Sequence, residues 1–282
     1  MCPTASIRDS LHASFSAISL GELTARADLL TRLESKYVVS LDVVKHLLEE
    51  TRGTYDVLDI DGRREFGYET RYYDDDRFSS YYAHHQGRRR RFKVRTRTYV
   101  DSGLSYVEIK LKWQRSLTVK RRLPYRPGPN GELDRDAFEC VRLAHQQLYG
   151  HDLVGVLRPA LDVHYRRITL AAKAGTCRIT IDAGVTFFSG SRRWQSAANA
   201  FVVEVKSARR TGGCHSLFRT LAQHPLRHLS KYCIGLATTG QVQNHRFRAA
   251  AMRLGVAAEL PIAAERLDVL TGQGLGSHTP IL

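Results

Sequence analysis

Basic side chains occupy every second position in several short segments of the 282-residue sequence. One segment places four of them on alternate positions: Arg91, Lys93, Arg95 and Arg97. Successive side chains of a strand point to opposite faces, so these four would share one face. Arginine binds phosphate oxygens in a bidentate manner, and lysine provides a point charge. The spacing therefore predicts a strand with one face suited to phosphate groups.

Four further segments have the same design, with charged residues on one face and apolar residues on the other. Their charged positions are Glu108, Lys110 and Lys112; Lys120 and Arg122; Arg178 and Asp182; and Glu204 and Lys206. A single strand of this kind is usually half exposed, with a solvated charged face. Rows of lysine and arginine repel each other unless anions lie between them. Five such strands therefore indicate a closed or nearly closed sheet with a basic interior and helices covering its apolar exterior.

A few carboxylates interrupt the basic rows. Glu34, Glu108 and Glu204 are predicted to face the same interior as the lysines and arginines. Carboxylate oxygens are ligands of divalent cations that bridge phosphate oxygens. The pattern thus predicts a metal site formed by these carboxylates.

The net charge of +15 is concentrated in one part of the chain. Between Arg63 and Arg126 there are 18 lysines and arginines against 7 aspartates and glutamates. Such an excess indicates an anionic partner, which could be nucleic acid, a phosphate-rich small molecule or an acidic membrane surface. Alternating basic positions favour a linear phosphate chain, and only the exposed run Arg88–Arg90 suggests a patch for nucleic acid.

Periodicity gives a coarse order of elements. Alternation predicts strands at Arg32–Val39, Glu69–Tyr73, Arg91–Val100, Tyr106–Trp113, Thr118–Tyr125, Leu161–Leu170, Thr176–Asp182 and Phe201–Lys206. Helices are predicted at Leu41–Glu50, at Asp134–Leu148 and at Ser216–Leu236 with an interruption at Pro225. Loops are predicted at Tyr82–Gly87, Arg126–Gly131 and Ser189–Asn199. Many strands joined by hairpins indicate an antiparallel α+β fold.

Several classes of protein are disfavoured by the sequence. The five cysteines show no C-x-x-C spacing, which argues against a zinc ribbon or a disulfide framework and predicts reduced thiols in a cytoplasmic setting. The first residues lack an apolar core behind a basic start, so they make a poor signal peptide. No run of about 18 apolar residues is present, so no membrane span is expected.

Nine short motifs follow one another between about Arg32 and Leu236. In order they read RLESKYVV, TRYYDDDRF, KVRTRTY, VEIKLK, TVKRRLP, LRPALDVHYRRITL, CRITIDAGV, FVVEVK and LSKYCIG. Together they resemble the VTC polyphosphate polymerase domain, within the CYTH/triphosphate tunnel metalloenzyme superfamily. The resemblance implies an α+β fold, in which an antiparallel β-barrel tunnel of eight strands is flanked by helices.

The resemblance also implies an activity, which is transfer of the ATP γ-phosphate to a growing polyphosphate chain with Mn²⁺ or Mg²⁺. Its implied phosphate- or nucleotide-binding residues are Lys36, Arg71, Arg95, Arg97, Lys110, Lys120, Arg122, Arg167, Arg178 and Ser230. The implied catalytic residues are Lys231, Glu204 and Lys206, and the implied metal ligands are Glu204, Glu34 and Glu108. The partners would be ATP and inorganic polyphosphate, without nucleic acid.

One departure from the superfamily pattern bears on the reaction. Arg32 stands where the E-x-E-x-K signature has its first glutamate. Triphosphatases of the superfamily use more tunnel carboxylates, so this change favours polymerisation over hydrolysis. The alternatives left open are an inorganic tripolyphosphatase or nucleoside triphosphatase and a non-catalytic polyphosphate-binding module.

The predicted organisation has three parts. An N-terminal segment (1–24) precedes the tunnel domain (25–240), and a C-terminal helix and tail follow (241–282). We expect an isolated catalytic domain in the cytoplasm, and a separate membrane protein partner that takes up the product is left open.

Overall fold

The computed structural model describes residues 7, 11–27, 33–113, 117–128, 130–208, 213–221, 223–256 and 259–261. Within them one sheet is built from twelve strands. They are β1 (Ser16–Ile18), β2 (Leu33–Ser40), β3 (Tyr55–Leu58), β4 (Phe66–Asp74), β5 (Arg91–Tyr99), β6 (Ser105–Trp113), β7 (Leu117–Pro124), β8 (Arg158–Ala172), β9 (Arg178–Ser189), β10 (Arg192–Gln195), β11 (Ala200–Ser207) and β12 (Glu259–Pro261).

Helices flank the sheet. They are α1 (Leu20–Ala27), α2 (Leu41–Thr51), α3 (Ser79–His85), α4 (Arg135–Tyr149), α5 (Gly213–Thr220), α6 (Lys231–Thr238) and α7 (His245–Arg253). The side chains of Ser40 and Asp134 accept backbone hydrogen bonds at the starts of α2 and α4, which satisfies donors that have no partner inside the helix. None of the helices in the described ranges is both long and apolar enough to cross a membrane.

Eight strands form a continuous antiparallel path in the order β2, β11, β9, β8, β4, β5, β6, β7. The two ends of the path, β2 and β7, do not pair with each other in the part of the chain that is described. The sheet is nevertheless curled, and the curl brings Lys110 on β6 near enough to Glu34 on β2 to lower the pKa of that carboxyl. This arrangement confirms the predicted α+β class and fits the predicted eight-strand tunnel, with a gap between its first and last strands.

The two faces of the curled sheet differ as the alternation predicts. We call the face that carries Arg95, Glu108 and Glu204 the inner face, and the opposite face the outer face. On the outer face, Val94 and Ile109 pack with helix α4 in one apolar cluster. Apolar residues of β2, β9 and β11 pack with α2 and α5 in another. Burial of these apolar side chains stabilises the fold and leaves the charged face directed inward.

Helix α6 packs against one end of the inner face. A Cβ atom added at Gly235 would lie 2.3 Å from Phe187 and 2.6 Å from Leu161, so only glycine permits this approach. Tyr232 and Ile234 of the same helix are buried in the adjoining cluster. The packing fixes the first residue of α6, Lys231, beside the charged part of the inner face.

Several predicted boundaries are wrong. The expected loop at Tyr82–Gly87 is mostly helix α3, and β10 lies within the expected loop at Ser189–Asn199. The helical region at Ser216–Leu236 is two helices, α5 and α6, with Pro225 in the non-helical residues between them. A proline has no backbone N–H and disrupts a helix interior, so an end of helix there is expected.

The expectation of reduced thiols also needs correction. Cys177 is disulfide-bonded, whereas Cys140 and Cys233 are free. The absence of C-x-x-C spacing rules out only a local pair, because residues far apart in sequence meet in a folded sheet.

Candidate functional site

The charged residues of the inner face come from seven strands. They include Glu34 and Lys36 on β2, Lys93, Arg95 and Arg97 on β5, Glu108 and Lys110 on β6, Lys120 and Arg122 on β7, Arg167 on β8, Arg178 and Asp182 on β9, and Glu204 and Lys206 on β11. Basic side chains outnumber the four carboxylates. The curl of the sheet therefore concentrates positive charge in one concave site.

Two glutamates and two lysines form the first cluster of this site. Lys36 Nζ lies 2.7 Å from Glu34 Oε1 and 3.8 Å from Glu204 Oε2, and Lys206 Nζ lies 2.5 Å from Glu204 Oε1. Burial and Glu204 oppose the ionisation of Glu34, but Lys36 and Lys110 outweigh them and lower its pKa to about 2. Burial likewise opposes ionisation of Glu204, yet Lys206 and Lys36 hold its pKa well below the usual range. Both carboxylates are therefore ionised at neutral pH.

Glu108 lies in a second cluster, surrounded by arginines. Arg95 Nε donates a 2.7 Å hydrogen bond to Glu108 Oε2, and Arg97 Nη1 lies 3.5 Å from Oε1. Burial would raise the pKa of Glu108, but Arg95 and Arg97 lower it to about 2. Arg122 stands 4.0 Å from the same carboxylate and covers the ring of Tyr106 at 3.6 Å. One carboxylate thus partly neutralises three arginines and leaves a net positive cluster.

Asp182 organises the third cluster. Arg167 donates to both of its oxygens, at 2.5 and 2.8 Å, and Lys231 Nζ donates to Oδ2. Asp182 is 1% exposed, and burial would raise its pKa, but Arg167 and Lys231 lower it to about 2. The carboxylate therefore fixes the direction of Lys231, which reaches the inner face from helix α6.

Tyrosines line the inner face between the arginines. The hydroxyl of Tyr72 accepts a 3.1 Å hydrogen bond from Arg95. Burial would raise the pKa of Tyr72, but Arg95 and Arg97 lower it. The guanidinium groups of Arg97 and Arg167 lie 5.5 and 5.1 Å from the ring centre of Tyr68. These contacts hold the arginines by cation–π attraction without adding negative charge to the site.

Most of the predicted site residues come together, but Arg71 does not. It pairs in register with Thr96, on the opposite side of β4 from Tyr72, and so lies on the outer face. There it donates two hydrogen bonds to Asp162, at 2.7 and 2.8 Å. The prediction that Arg71 binds phosphate is therefore corrected.

Ser230 has a supporting position in the site. Its side chain accepts the backbone hydrogen bond of Cys233 at the start of α6 and a 2.9 Å hydrogen bond from Lys93 Nζ. Lys93, Tyr72 and Asp182 were not among the predicted site residues. The alternation already placed Lys93 with Arg95, and that signal could have found it, whereas nothing in the sequence marked Tyr72.

Some polar atoms of the inner face are buried without a partner. Within the described ranges these include Arg97 Nε and the hydroxyls of Thr70 and Thr180. Thr70 pairs in register with Arg97, and Thr180 pairs with Glu204, so all three lie on the inner face. A buried polar atom without a partner is costly, so these three atoms lower the stability of the inner face as it stands.

The carboxylates differ in their suitability for a cation. Glu34 and Glu204 share Lys36 and are both ionised, so the chemistry of this pair of carboxylates fits a divalent cation. Across the described residues no three His, Cys, Asp or Glu side chains converge on a possible metal position. Glu108 is not brought to the other two glutamates, since its oxygens face Arg95 and Arg97.

Comparisons with known proteins give one family match and several distant structural neighbours. A family model described as the VTC domain matches residues 31–239. No curated protein sequence matches the chain. One neighbour, from Hippeastrum, is described as a candidate adenylyl cyclase with a dominant triphosphatase activity (10% identity, 76% of this chain and 99% of that chain, TM-score 0.48). Another is a candidate adenylate cyclase from Bacillus halodurans (11% identity, 71% and 95%, TM-score 0.40).

Proposed function

The chain belongs to the VTC domain family, and from this premise we propose that it is an ATP-dependent polyphosphate polymerase. The observation that carries the proposal is the composition of the inner face. Lysines and arginines from seven strands and from helix α6 converge there, and each of the four carboxylates is already paired with cations. A linear chain of phosphates matches such an elongated, strongly basic surface.

The proposed chemistry needs no protein nucleophile. An oxygen of the terminal phosphate of the chain forms a bond to the γ-phosphorus of ATP, the bond from that phosphorus to the β,γ-bridging oxygen breaks, and ADP leaves. Phosphoryl transfer of this kind depends on positioning and charge neutralisation. Arg95, Arg97 and Arg167 would hold phosphate oxygens in fixed directions, because Glu108 and Asp182 orient their guanidinium groups.

Lys231 is proposed to act at the transferring phosphate or at the acceptor chain. Its hydrogen bond to Asp182 and its distance of 4.5 Å from the ring centre of Tyr165 fix the ammonium group on the inner face. An ammonium held in advance neutralises charge without reorganising during the reaction. Lys36, Lys110 and Lys206 would neutralise other phosphate oxygens, as would Lys120, Arg122 and Arg178 towards the edges of the site.

A divalent cation, Mn²⁺ or Mg²⁺, would be held by Glu34 and Glu204. When bound, it would act as a Lewis acid that neutralises negative charge on the reacting phosphates. Lys36 and Lys206 at present neutralise these two carboxylates. With a cation in place, both lysines would be free to turn towards the phosphate chain.

The experiment that tests the proposal is chromatography of the products formed from ATP and Mn²⁺ by the purified full chain. The proposal expects long polyphosphate together with ADP. Orthophosphate as the sole phosphate product would support a triphosphatase instead. Absence of turnover with tight binding of polyphosphate would indicate a non-catalytic binding module.

A further inference from the structure

Lys93 lies at the end of the inner face that helix α6 covers. Its Nζ donates a 2.9 Å hydrogen bond to Ser230 Oγ, the side chain that caps α6. In the strand register Lys93 stands opposite Lys110, and Lys110 stands opposite Lys120. Three lysines thus form a row across β5, β6 and β7.

Among the residues that the structure describes, no carboxylate is paired with Lys93. No Asp or Glu in the described ranges lies within ion-pair distance of its Nζ, whereas Lys36, Lys110 and Arg91 act on it with like charge. Like charges on neighbouring strands repel each other, and the N-terminus of α6 adds positive potential. A buried ammonium in such surroundings is favoured only when an anion accompanies it.

Two further titratable groups face Lys93. His84, on α3, stays uncharged because burial, Lys93 and Arg91 lower its pKa. Cys233, on α6, is the other. Neither is a carboxylate, so within the described residues the positive charge of Lys93 is not balanced by the elements packed against it.

We propose that Lys93 is a further phosphate-binding residue, which with Lys110 holds a phosphate of the polyphosphate chain at the α6 end of the inner face. The inference rests on the proposed function. Lys93 is two residues along β5 from Arg95, a separation of about 7 Å in a strand. A long chain bound to Arg95 and Arg97 can reach Lys93, whereas pyrophosphate bound there cannot.

Protonation of Lys93 makes this position sensitive to pH. Burial, opposed by Cys233 and assisted by Lys110, Lys36 and Arg91, lowers the pKa of Lys93 to about 8. Its charge is therefore present below pH 8 and is lost as the pH rises through that value. Binding of a long phosphate chain should weaken over the same interval, although the phosphates themselves remain ionised.

The test is calorimetric titration of the full chain with long-chain polyphosphate and with pyrophosphate, at pH 7 and pH 9 and at constant ionic strength. Wild-type affinity for the long chain should fall about tenfold between these pH values. Lys93→Met should bind the long chain about tenfold more weakly at pH 7, with no further fall at pH 9 and unchanged affinity for pyrophosphate. Lys93→Arg should restore affinity and keep it at pH 9, because arginine stays charged.

Matched variants separate the lysine from other causes. Lys45→Met removes the same charge from an exposed position on α2 and should leave affinity for the long chain within about twofold. Cys233→Ala should keep a fall of affinity with rising pH, with its midpoint moved to lower pH because Cys233 raises the pKa of Lys93. Loss of the dependence in Cys233→Ala, or a Lys93→Met variant that binds as tightly as wild type, would overturn the inference.

The inference and the proposed function fail in different ways. A wild-type protein that binds polyphosphate through Lys93 but makes none from ATP would overturn the polymerase and leave the binding position intact. Synthesis of polyphosphate with wild-type affinity in Lys93→Met would overturn the binding position alone. A wild-type protein that does not bind polyphosphate would overturn both.

Discussion

Lys231 and Asp182, 49 residues apart in sequence, are joined by a hydrogen bond between a helix and the inner face of the sheet. Asp182 is almost fully buried and also accepts two hydrogen bonds from Arg167. Lys231 is the first residue of α6, so its contact with Asp182 both positions the start of this helix and neutralises a carboxylate of the inner face.

Asp182→Asn should therefore destabilise the fold. The substitution leaves Lys231 and Arg167 as buried cations without their carboxylate, which typically costs about 3–5 kcal/mol in the free energy of unfolding. Urea unfolding followed by circular dichroism measures the loss. Added polyphosphate should restore part of the stability, because phosphate oxygens can replace the missing carboxylate.

Asp162→Asn is the matched control for this prediction. Asp162 also binds an arginine through two hydrogen bonds, but its side chain is 25% exposed and lies on the outer face. Its substitution should cost about 1 kcal/mol or less. Equal losses in the free energy of unfolding in the two variants would show that the buried Asp182 contributes no more to stability than the partly exposed Asp162.

The buried carboxylates predict how stability depends on acid. Glu34, Glu108 and Asp182 have pKa values of about 2, below their ordinary values of 4.5, 4.5 and 3.8. A group whose pKa is lowered by folding contributes stability above its unfolded pKa and loses it as the pH falls through the folded pKa. The free energy of unfolding should therefore drop steeply between about pH 4.5 and pH 2. A flat urea midpoint across this interval would contradict the assigned ion pairs.

Glu204→Gln should remove metal-dependent turnover, at some cost in the free energy of unfolding because Lys206 loses its carboxylate partner. Glutamine keeps the shape of the side chain, and Glu34 still pairs with Lys36, but half of the carboxylate pair for the cation is lost. We expect a fall in ATP turnover of about 100-fold or more, together with weaker Mn²⁺ binding. Glu69→Gln, at a side chain that is 52% exposed, is the control and should keep wild-type turnover. Unchanged Mn²⁺ binding in Glu204→Gln would exclude Glu204 as a ligand.

Two arginines of neighbouring strands should differ in their effect on nucleotide binding. Arg97 is 8% exposed on the inner face, whereas Arg71 is directed to the outer face. Arg97→Ala should weaken ATP binding about tenfold or more and lessen its dependence on salt, and Arg71→Ala should leave affinity within about twofold. If titration with ATP showed weaker binding in Arg71→Ala than in Arg97→Ala, the nucleotide site would lie on the outer face and the prediction would be wrong.

The charged residues of the inner face could be predicted from the sequence, because side chains along a strand alternate between its two faces. Arg95, Glu108, Lys110 and Glu204 alternate with apolar residues, so their common face follows from geometry alone. Arg71 is suggested by the resemblance and not by the alternation, and its strand reads TRYYD. Tyrosine suits either face of a sheet, so the segment gives no clear contrast between its two sides.

Other features depend on contacts between distant residues. Helix α3 begins after Phe78, which has a φ of 53° and makes no capping hydrogen bond with its side chain. The first backbone N–H groups of α3 are accepted instead by Asp74 and Asp75, which lie outside the usual capping position in the sequence. Likewise, the link from Lys93 to Ser230 spans 137 residues and depends on where α6 packs.

The most direct test of the account follows the γ-phosphate itself. The full chain is mixed with Mn²⁺, unlabelled polyphosphate and ATP labelled at the γ-phosphate, and the products are separated by length during a time course. The account predicts that label enters lengthening polyphosphate chains, with one ADP formed for each phosphate added. Label that appears only as orthophosphate, with chains of constant or decreasing length, would contradict it.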